Sequence, residues 1–333
     1  MKKFILGGLA ALALAGTASA QEIKELNFGI ISTESSAGLA KSFEPMLKDL
    51  EKAIGIPVKA FFAQDYAGVI EGMRFKKVDV AWYGNKAAME AVDRSNGEVF
   101  VQTTKPDGTK GYYSLIITNK DNAAINELKD VLDCSKGYSF GNGDPNSTSG
   151  NLVPGYYVFA LNNVNPNDCY KRVVVSNHEG NALAVANGQV DFATNNTESM
   201  DRLAQTRPDD YAKIKEVWRS PLIPSDPLVW RKDLPADLKA RIHSFFLGYG
   251  RLGTPEEVKH AREVLASTSD GWGPFVASSD AQLYPIRQLE LFKAKLKIEN
   301  DDKLAADEKK EKVAEIEKQL ADLEKLSAEV PNM

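Results

Sequence analysis

The chain has 333 residues, 43% of them apolar and 26% charged, with a formal net charge of -5 at pH 7. One hydrophobic core rarely serves more than about 250–300 residues, so two lobes are expected. The acidic balance lacks the basic face or stripe of a nucleic-acid binder, and no nucleic-acid partner is expected.

Lys2 and Lys3 open the chain, Phe4 to Ala15 is apolar apart from glycines, and Ala18-Ser19-Ala20 is a small-x-small site. Charge, apolar run and cleavage site in that order predict a secretory signal peptide over residues 1–20, cut between Ala20 and Gln21. The run is too short to span a bilayer, and no later segment is apolar for long enough. A soluble, exported, periplasmic product is the expectation. Leu26 to Ile31 then reads as a strand. Ala37 to Ile54 reads as a helix, with Leu39, Phe43, Leu47 and Leu50 near helical spacing. Strand-like runs recur at Pro57 to Ala63, Val78 to Tyr83, Tyr138 to Phe140, Arg172 to Val175 and Val190 to Ala193. Their alternation with helix-like runs predicts an α/β fold with mainly parallel sheets. Val78-Asp79-Val80-Ala81 is echoed by Val190-Asp191-Phe192-Ala193, and each leads into small polar residues. Ligands of open α/β sheets gather at such strand ends, so two of them, one per lobe, would face each other across a cleft.

Tyr113 to Asn119 and Lys215 to Ser220 are candidate crossings between lobes, with a proline-bearing loop from Pro221 to Pro227 after the second. The expected division is 21–118 with 222–300 as a discontinuous lobe one, 119–221 as lobe two, and 301–333 as a charged C-terminal helix. In that helix Val313, Ile316, Leu320, Leu323, Leu326 and Val330 recur at spacings of three and four. The narrow seam fits packing on its own lobe or on a second copy in a homodimer. Cys134 and Cys169 both fall within lobe two. An oxidising compartment permits a disulfide between them, and two cysteines alone make no persuasive metal site.

The segment with the most chemistry runs from Phe140 through Gly141-Asn142-Gly143-Asp144-Pro145-Asn146 to Ser147-Thr148-Ser149-Gly150. A strand ends, a turn follows, and a helix-like run begins, so three hydroxyls stand at a helix N-terminus. Unpaired backbone N–H groups and the positive dipole end there suit a phosphate-like oxyanion. Pro154 removes a backbone donor early in that helix. The segment lacks the Gly-Lys-Ser/Thr ending of a nucleotide-binding P-loop and does not fit the Gly-x-Ser-x-Gly nucleophile elbow. His178, His243 and His260 make no zinc-binding spacing. No catalytic constellation, metal site or cofactor is expected. Trp82, Trp218, Trp230 and Trp272 read as core or hinge packing.

Leu26 to Ser35, Phe61 to Gly68, Val78 to Asn85, Gly141 to Gly150, His178-Glu179, Ala193 to Glu198 and Ser220 to Pro227 are seven ordered blocks. Together they resemble the phosphonate-binding proteins of bacterial ABC importers. The resemblance spans nearly all of the mature chain and is weakest in the charged tail and around the two cysteines. It implies a type II periplasmic-binding fold, in which two α/β lobes close by a hinge over a small phosphonate for an ABC permease of the inner membrane. It further implies that Ser147, Thr148 and Ser149 hold the phosphonate with Tyr66, Tyr112 and His178. Glu198 and Asp226 would hold an ammonium group at the ligand's other end. Two carboxylates beside an anion make sense only if the ligand also carries a cation. That favours a zwitterion such as 2-aminoethylphosphonate. Phosphite, an alkylphosphonate or a phosphate ester is the alternative. An exported enzyme acting on phosphorylated small molecules is the weaker reading, because neither an activated serine nor a metal cluster is visible.

Overall fold

A computed structural model describes residues 23–329, so the predicted signal peptide and its cleavage site lie outside the described residues. The strands in chain order are β1 (Leu26–Ile30), β2 (Val58–Phe62), β3 (Val80–Trp82), β4 (Gly97–Thr104), β5 (Gly111–Tyr112), β6 (Ser114–Asn119) and β7 (Ser139–Asn142). They continue as β8 (Arg172–Val175), β9 (Phe192–Asn196), β10 (Ile214–Arg219), β11 (Ile223–Pro224), β12 (Pro227–Arg231) and β13 (Gly273–Ala277). Lobe one is built on the order β13-β4-β12-β3-β1-β2, lobe two on β10-β6-β9-β7-β8, and β11 pairs with β5 between them.

The sheets are mixed rather than mainly parallel. Among the described residues, only β1–β2, β1–β3, β7–β8 and β7–β9 run parallel. The reason lies in the crossings. The chain enters lobe two along β6, whose first residue Ser114 pairs with Asn196 at the far end of β9. It re-enters lobe one along β12, where Leu228 near the start pairs with Trp82 at the end of β3. Both strands therefore start where the βαβ strands finish and must run antiparallel to them. The whole of β6 belongs to the second sheet, so the first crossing falls just after Tyr112 and not at residue 118. The long strand β4, near the middle of the first sheet's edge-side half, is one that the alternation of runs passes over.

The repeated Val-Asp-x-Ala motif has a structural meaning. The Asp79 carboxylate accepts from the Asn27 N–H at 2.8 Å, at the start of β1. The Asp191 carboxylate accepts from the Ser139 N–H at 2.6 Å, at the start of β7. The same bond thus ties β3 to β1 in lobe one and β9 to β7 in lobe two. Asp79 is also paired with the buried Arg231 at 2.8 Å, which locks the returning strand β12 in place.

Lobe one buries Leu39, Phe43, Met46, Leu47, Leu50 and Ile54 on one face of the helix Ser36–Ile54, which ends at Gly55 with φ 73°. Only a residue free of Cβ strain adopts that left-handed angle cheaply. Lobe two has an aromatic core in which Phe140 stacks on Phe192 at 4.8 Å and meets Phe159 and Tyr170 edge-on or tilted. Cys134 and Cys169 are joined by a disulfide. The C-terminal helix Ala306–Glu329 folds back on the helix Tyr284–Glu299, burying Ile316 and Leu320. Lys295 pairs with Glu317 at 2.6 Å across that hairpin. The seam therefore packs on its own chain through its first half, Leu326 is 44% exposed, and Val330 lies outside the described residues.

Candidate ligand site between the lobes

The helices that follow β2, β3, β7, β8 and β9 all begin at the same cleft. Tyr66, Asn85, Thr148 and His178 are each the first residue of such a helix, and Glu198 is the second residue of another. Parallel strands send their connections out at the carboxyl end, so the helix N-termini converge there with their positive dipole ends. Ser147, Thr148, Ser149, Tyr66, Tyr112, His178, Glu198 and Asp226 all line one cavity in this cleft. Tyr66, Tyr112 and Asp226 come from lobe one, and the other five come from lobe two.

On the lobe-two side the three hydroxyls are held through their oxygens. Ser147 caps its helix, accepting from the Gly150 N–H at 2.9 Å. Thr148 accepts from the Lys86 N–H of lobe one at 2.8 Å. Ser149 accepts from the Asn196 amide at 2.9 Å. With an oxygen lone pair engaged in each case, the hydroxyl protons are free to turn into the cavity. His178 Nε2 lies 3.2 Å from the Asn196 amide nitrogen, 3.4 Å from Ser147 Oγ and 3.5 Å from Ser149 Oγ. Its Nδ1 is buried without a hydrogen-bond partner among the described residues. Burial lowers its pKa to about 4, so the ring is neutral near pH 7. Burial also raises Tyr66 and Tyr112 well above the usual phenol range, helped by nearby carboxyls, so both remain O–H donors.

The same cavity also holds acidic groups. Asp226 accepts from the Tyr112 hydroxyl at 3.1 Å. Burial, opposed by that bond and reinforced by Asp270, raises its pKa to about 8. Glu198 is raised well above the ordinary carboxyl value by burial and then by Asp270 and Asp226, while Lys105 pulls it down. Lys105 stands 3.9 Å from Glu198 and makes a close ion pair with Asp270. One cavity thus brings together oxyanion donors and carboxyl groups.

Sequence reasoning misses four contributors. Asn196 caps the helix Thr197–Thr206 through its Oδ1 while its amide group serves Ser149 and His178. The polar run at the end of β9 is the signal that marks it. Trp82 lines the cavity as well as packing on Phe43 and Trp272, so it is not core packing alone. Its indole N–H is buried, close enough to Asp226 to lower that group's pKa but outside hydrogen-bond geometry. Lys105 and Asp270 lie behind the wall, far apart in sequence, and no motif points to either.

A family model described as "ABC transporter, phosphonate, periplasmic substrate-binding protein" matches residues 28–283. The chain belongs to this family. It is 55% identical over 307 residues to the phosphonates-binding periplasmic protein of Escherichia coli K12, covering 92% of this chain and 88% of that one. It is also 55% identical to the crystal structure of a binding-protein component of an ABC phosphonate transporter from Pseudomonas aeruginosa. There the TM-score is 0.87, with 92% of this chain and 99% of that chain covered. A more distant relative, the phosphate-import protein of Mycolicibacterium smegmatis, is 32% identical over 210 residues, covering 60% of this chain and 63% of that one. As a member of the phosphonate-binding family, the protein is a periplasmic substrate-binding component of an ABC transporter and not an enzyme. The two-lobed fold expected from the resemblance is the observed one.

Proposed function

We propose that the protein captures 2-aminoethylphosphonate in the periplasm, closing over it and handing it to an inner-membrane permease. Residues 1–20 serve as the cleavable signal that takes it there. One observation carries the choice of ligand. The cavity that holds Ser147, Thr148 and Ser149 also holds the buried Asp226 and the largely buried Glu198, two carboxyls that an inorganic oxyanion gives no reason to keep. Burying carboxyls costs free energy unless a cation meets them, and among the described residues Lys105 is the one cation in ion-pairing range of Glu198 and Asp270, with none in that range of Asp226. A ligand ammonium supplies the missing charge. The hydroxyls, the Tyr66 phenol and neutral His178 donate to the phosphonate oxygens at the other end, while Tyr112 spends its proton on Asp226.

A second reading, an alkylphosphonate receptor, is favoured by the raised pKa of Asp226, since a protonated carboxyl tolerates an uncharged tail. Isothermal titration of the mature protein with 2-aminoethylphosphonate, ethylphosphonate and inorganic phosphate at one pH and salt separates these. A desolvated charge pair is worth about 2–5 kcal/mol, so the amine ligand is expected to bind about 100-fold more tightly than ethylphosphonate. Equal affinity for the two phosphonates would select the alkylphosphonate receptor. Tightest binding to phosphate would remove the amine pocket altogether.

A further inference from the structure

Lys105 follows directly on β4, in a turn closed by the Lys105 N–H to Thr109 C=O bond at 2.9 Å. Asp270 sits in a second turn of lobe one, between Ser269 with φ 54° and Gly271 with φ 102°. The two turns are pressed together at Gly273. A Cβ there would stand 2.3 Å from the Lys105 carbonyl oxygen and 2.8 Å from its carbonyl carbon. Glycine at 273 is thus what lets the two turns approach and the Lys105–Asp270 pair form. From lobe two, Glu198 lies 3.9 Å and Asp201 4.0 Å from the same ammonium. Arg219 stands within electrostatic range of Asp201. Burial works against the Lys105 charge, but Asp270 and Glu198 outweigh it and the group stays firmly cationic.

We propose that Lys105 and Asp270, neither of which lines the cavity, are specificity-determining residues that set the net charge facing the ligand's amine end. The inference rests on the amine-pocket reading above and deepens it. Lys105 is shared among Glu198, Asp201 and Asp270, so its single charge offsets only part of the carboxyl cluster that faces the amine end. Without Lys105 the wall becomes more negative. That penalises any phosphonate through its anionic end, but an amine-bearing ligand regains part of the loss through its cation. Without Asp270 the wall becomes less negative and the amine loses its advantage. Because Lys105 and Asp270 sit on lobe one and Glu198 on lobe two, the full charge balance exists only when the lobes meet.

The test is the ratio of the affinities for 2-aminoethylphosphonate and ethylphosphonate, measured by calorimetry on the mature protein and four variants. Lys105→Met should raise the ratio about tenfold, since one charge at this range is worth on the order of 1.4 kcal/mol in a partly screened site. Asp270→Asn should lower it by a similar factor. The double variant Lys105→Met/Asp270→Asn removes one charge of each sign and should return the ratio to within about threefold of wild type. Lys105→Arg should keep the wild-type ratio. If all variants change both affinities equally, Lys105 and Asp270 only support the lobes, and the proposal falls. If Lys105→Met alone does not fold, Asp270→Asn and the double variant still decide it. If the wild-type protein itself shows no preference for the amine, it is the underlying ligand reading that fails.

Discussion

Asp226 shows how a single side chain carries the conflict between folding and binding. It is buried in the cavity wall, with the Tyr112 hydroxyl as its donor, and its pKa is raised to about 8, first by burial and then by Asp270. In the unfolded chain an aspartate titrates near about 3.9. Between those values the folded state holds a proton that the unfolded state releases. The group therefore favours folding fully below about pH 4, and that contribution is lost as the pH rises toward about 8. Asp226→Asn keeps an acceptor for Tyr112 and removes the titration. The ligand-free variant is expected to match the wild-type melting temperature near pH 4 and to exceed it by several degrees at pH 8, a gain on the order of 1–3 kcal/mol. Thermal melts across that range check it, and a gap that does not grow with pH contradicts the account. The same variant should lose its preference for the amine ligand. Stability sacrificed at a site in this way is what a binding role predicts. At this scale the sequence was legible where chemistry was concentrated: three successive hydroxyls at Ser147 to Ser149 announce themselves. Lys105 and Asp270 did not, because one lysine after a strand and one aspartate in a turn are by default surface residues. Only the contact across 165 positions gives them meaning.

Helices and strands explain why the site residues are where they are. Ser35, Asp65, Ser147 and Asn177 each cap a helix by accepting from a glycine N–H three residues on, at Gly38, Gly68, Gly150 and Gly180. At Gly150 a Cβ would come within 2.8 Å of Ser147 Oγ, and at Gly180 within 2.2 Å of Ser176 Oγ, so these N-termini stay open only because the side chain is absent. The cap-x-x-Gly spacing is a readable signal of which helix ends are kept bare. The segment after Ser147 winds as a wide π-type turn at Thr148–Leu152, with the Leu152 N–H reaching back to the Ser147 carbonyl at 3.1 Å. A second such turn follows at Gly155–Phe159, and Pro154 sits between the two with helical angles, φ -66° and ψ -32°. The proline that looks awkward in a regular helix falls where the regular bonding pattern is already interrupted, as wide turns at functional sites often arrange. The Cys134–Cys169 disulfide acts on a different part of lobe two. It closes a separation of 35 residues, and neither cysteine lines the cavity. Replacing both by alanine should cost about 3–4 kcal/mol on the chain-entropy account. Affinity for ligand should stay within about threefold, because the two sites share no partners. Melting and titration of the double variant test both halves, and a large loss of affinity with little loss of stability would reverse the assignment.

For the whole molecule, the proposed closure over ligand would rest on the contacts that join the two lobes around the cavity. The Lys86 N–H to Thr148 bond and the Tyr66 N–H to Asp144 bond at 3.2 Å join the lobes beside the cavity. At the mouth the Ser35 N–H donates to Glu179 at 3.0 Å, the Glu179 N–H donates to the Thr33 carbonyl at 3.2 Å, and Arg202 pairs with Glu34 at 3.4 Å. The two crossings are joined by the β5–β11 pair, where a Cβ on Gly111 would stand 2.8 Å from the Ile223 carbonyl oxygen, so this strand pair also needs its glycine. The sequence exposes the crossings as strand-like runs but not their exact turnover point, because β6 is equally apolar whichever sheet it joins. Its assignment is settled by the register with β9 and β10. Of the mouth contacts, Arg202–Glu34 is the one made by two charged side chains. Burial raises the Glu34 pKa even with Arg202 opposing it, so the pair sits partly out of water and is screened less than a surface bridge. The pair spans lobe two to lobe one, so under the proposed closure it belongs to the closed state. Arg202→Ala should therefore leave the association rate within about twofold and speed dissociation about 3–10-fold, as the loss of a closed-state contact does. Stopped-flow measurement of both rates with 2-aminoethylphosphonate separates this from the opposite possibility. If association slows and dissociation is unchanged, Arg202 attracts the anion to the open cleft, and the hold on the bound ligand rests on the backbone bonds at Thr33, Ser35 and Lys86 instead.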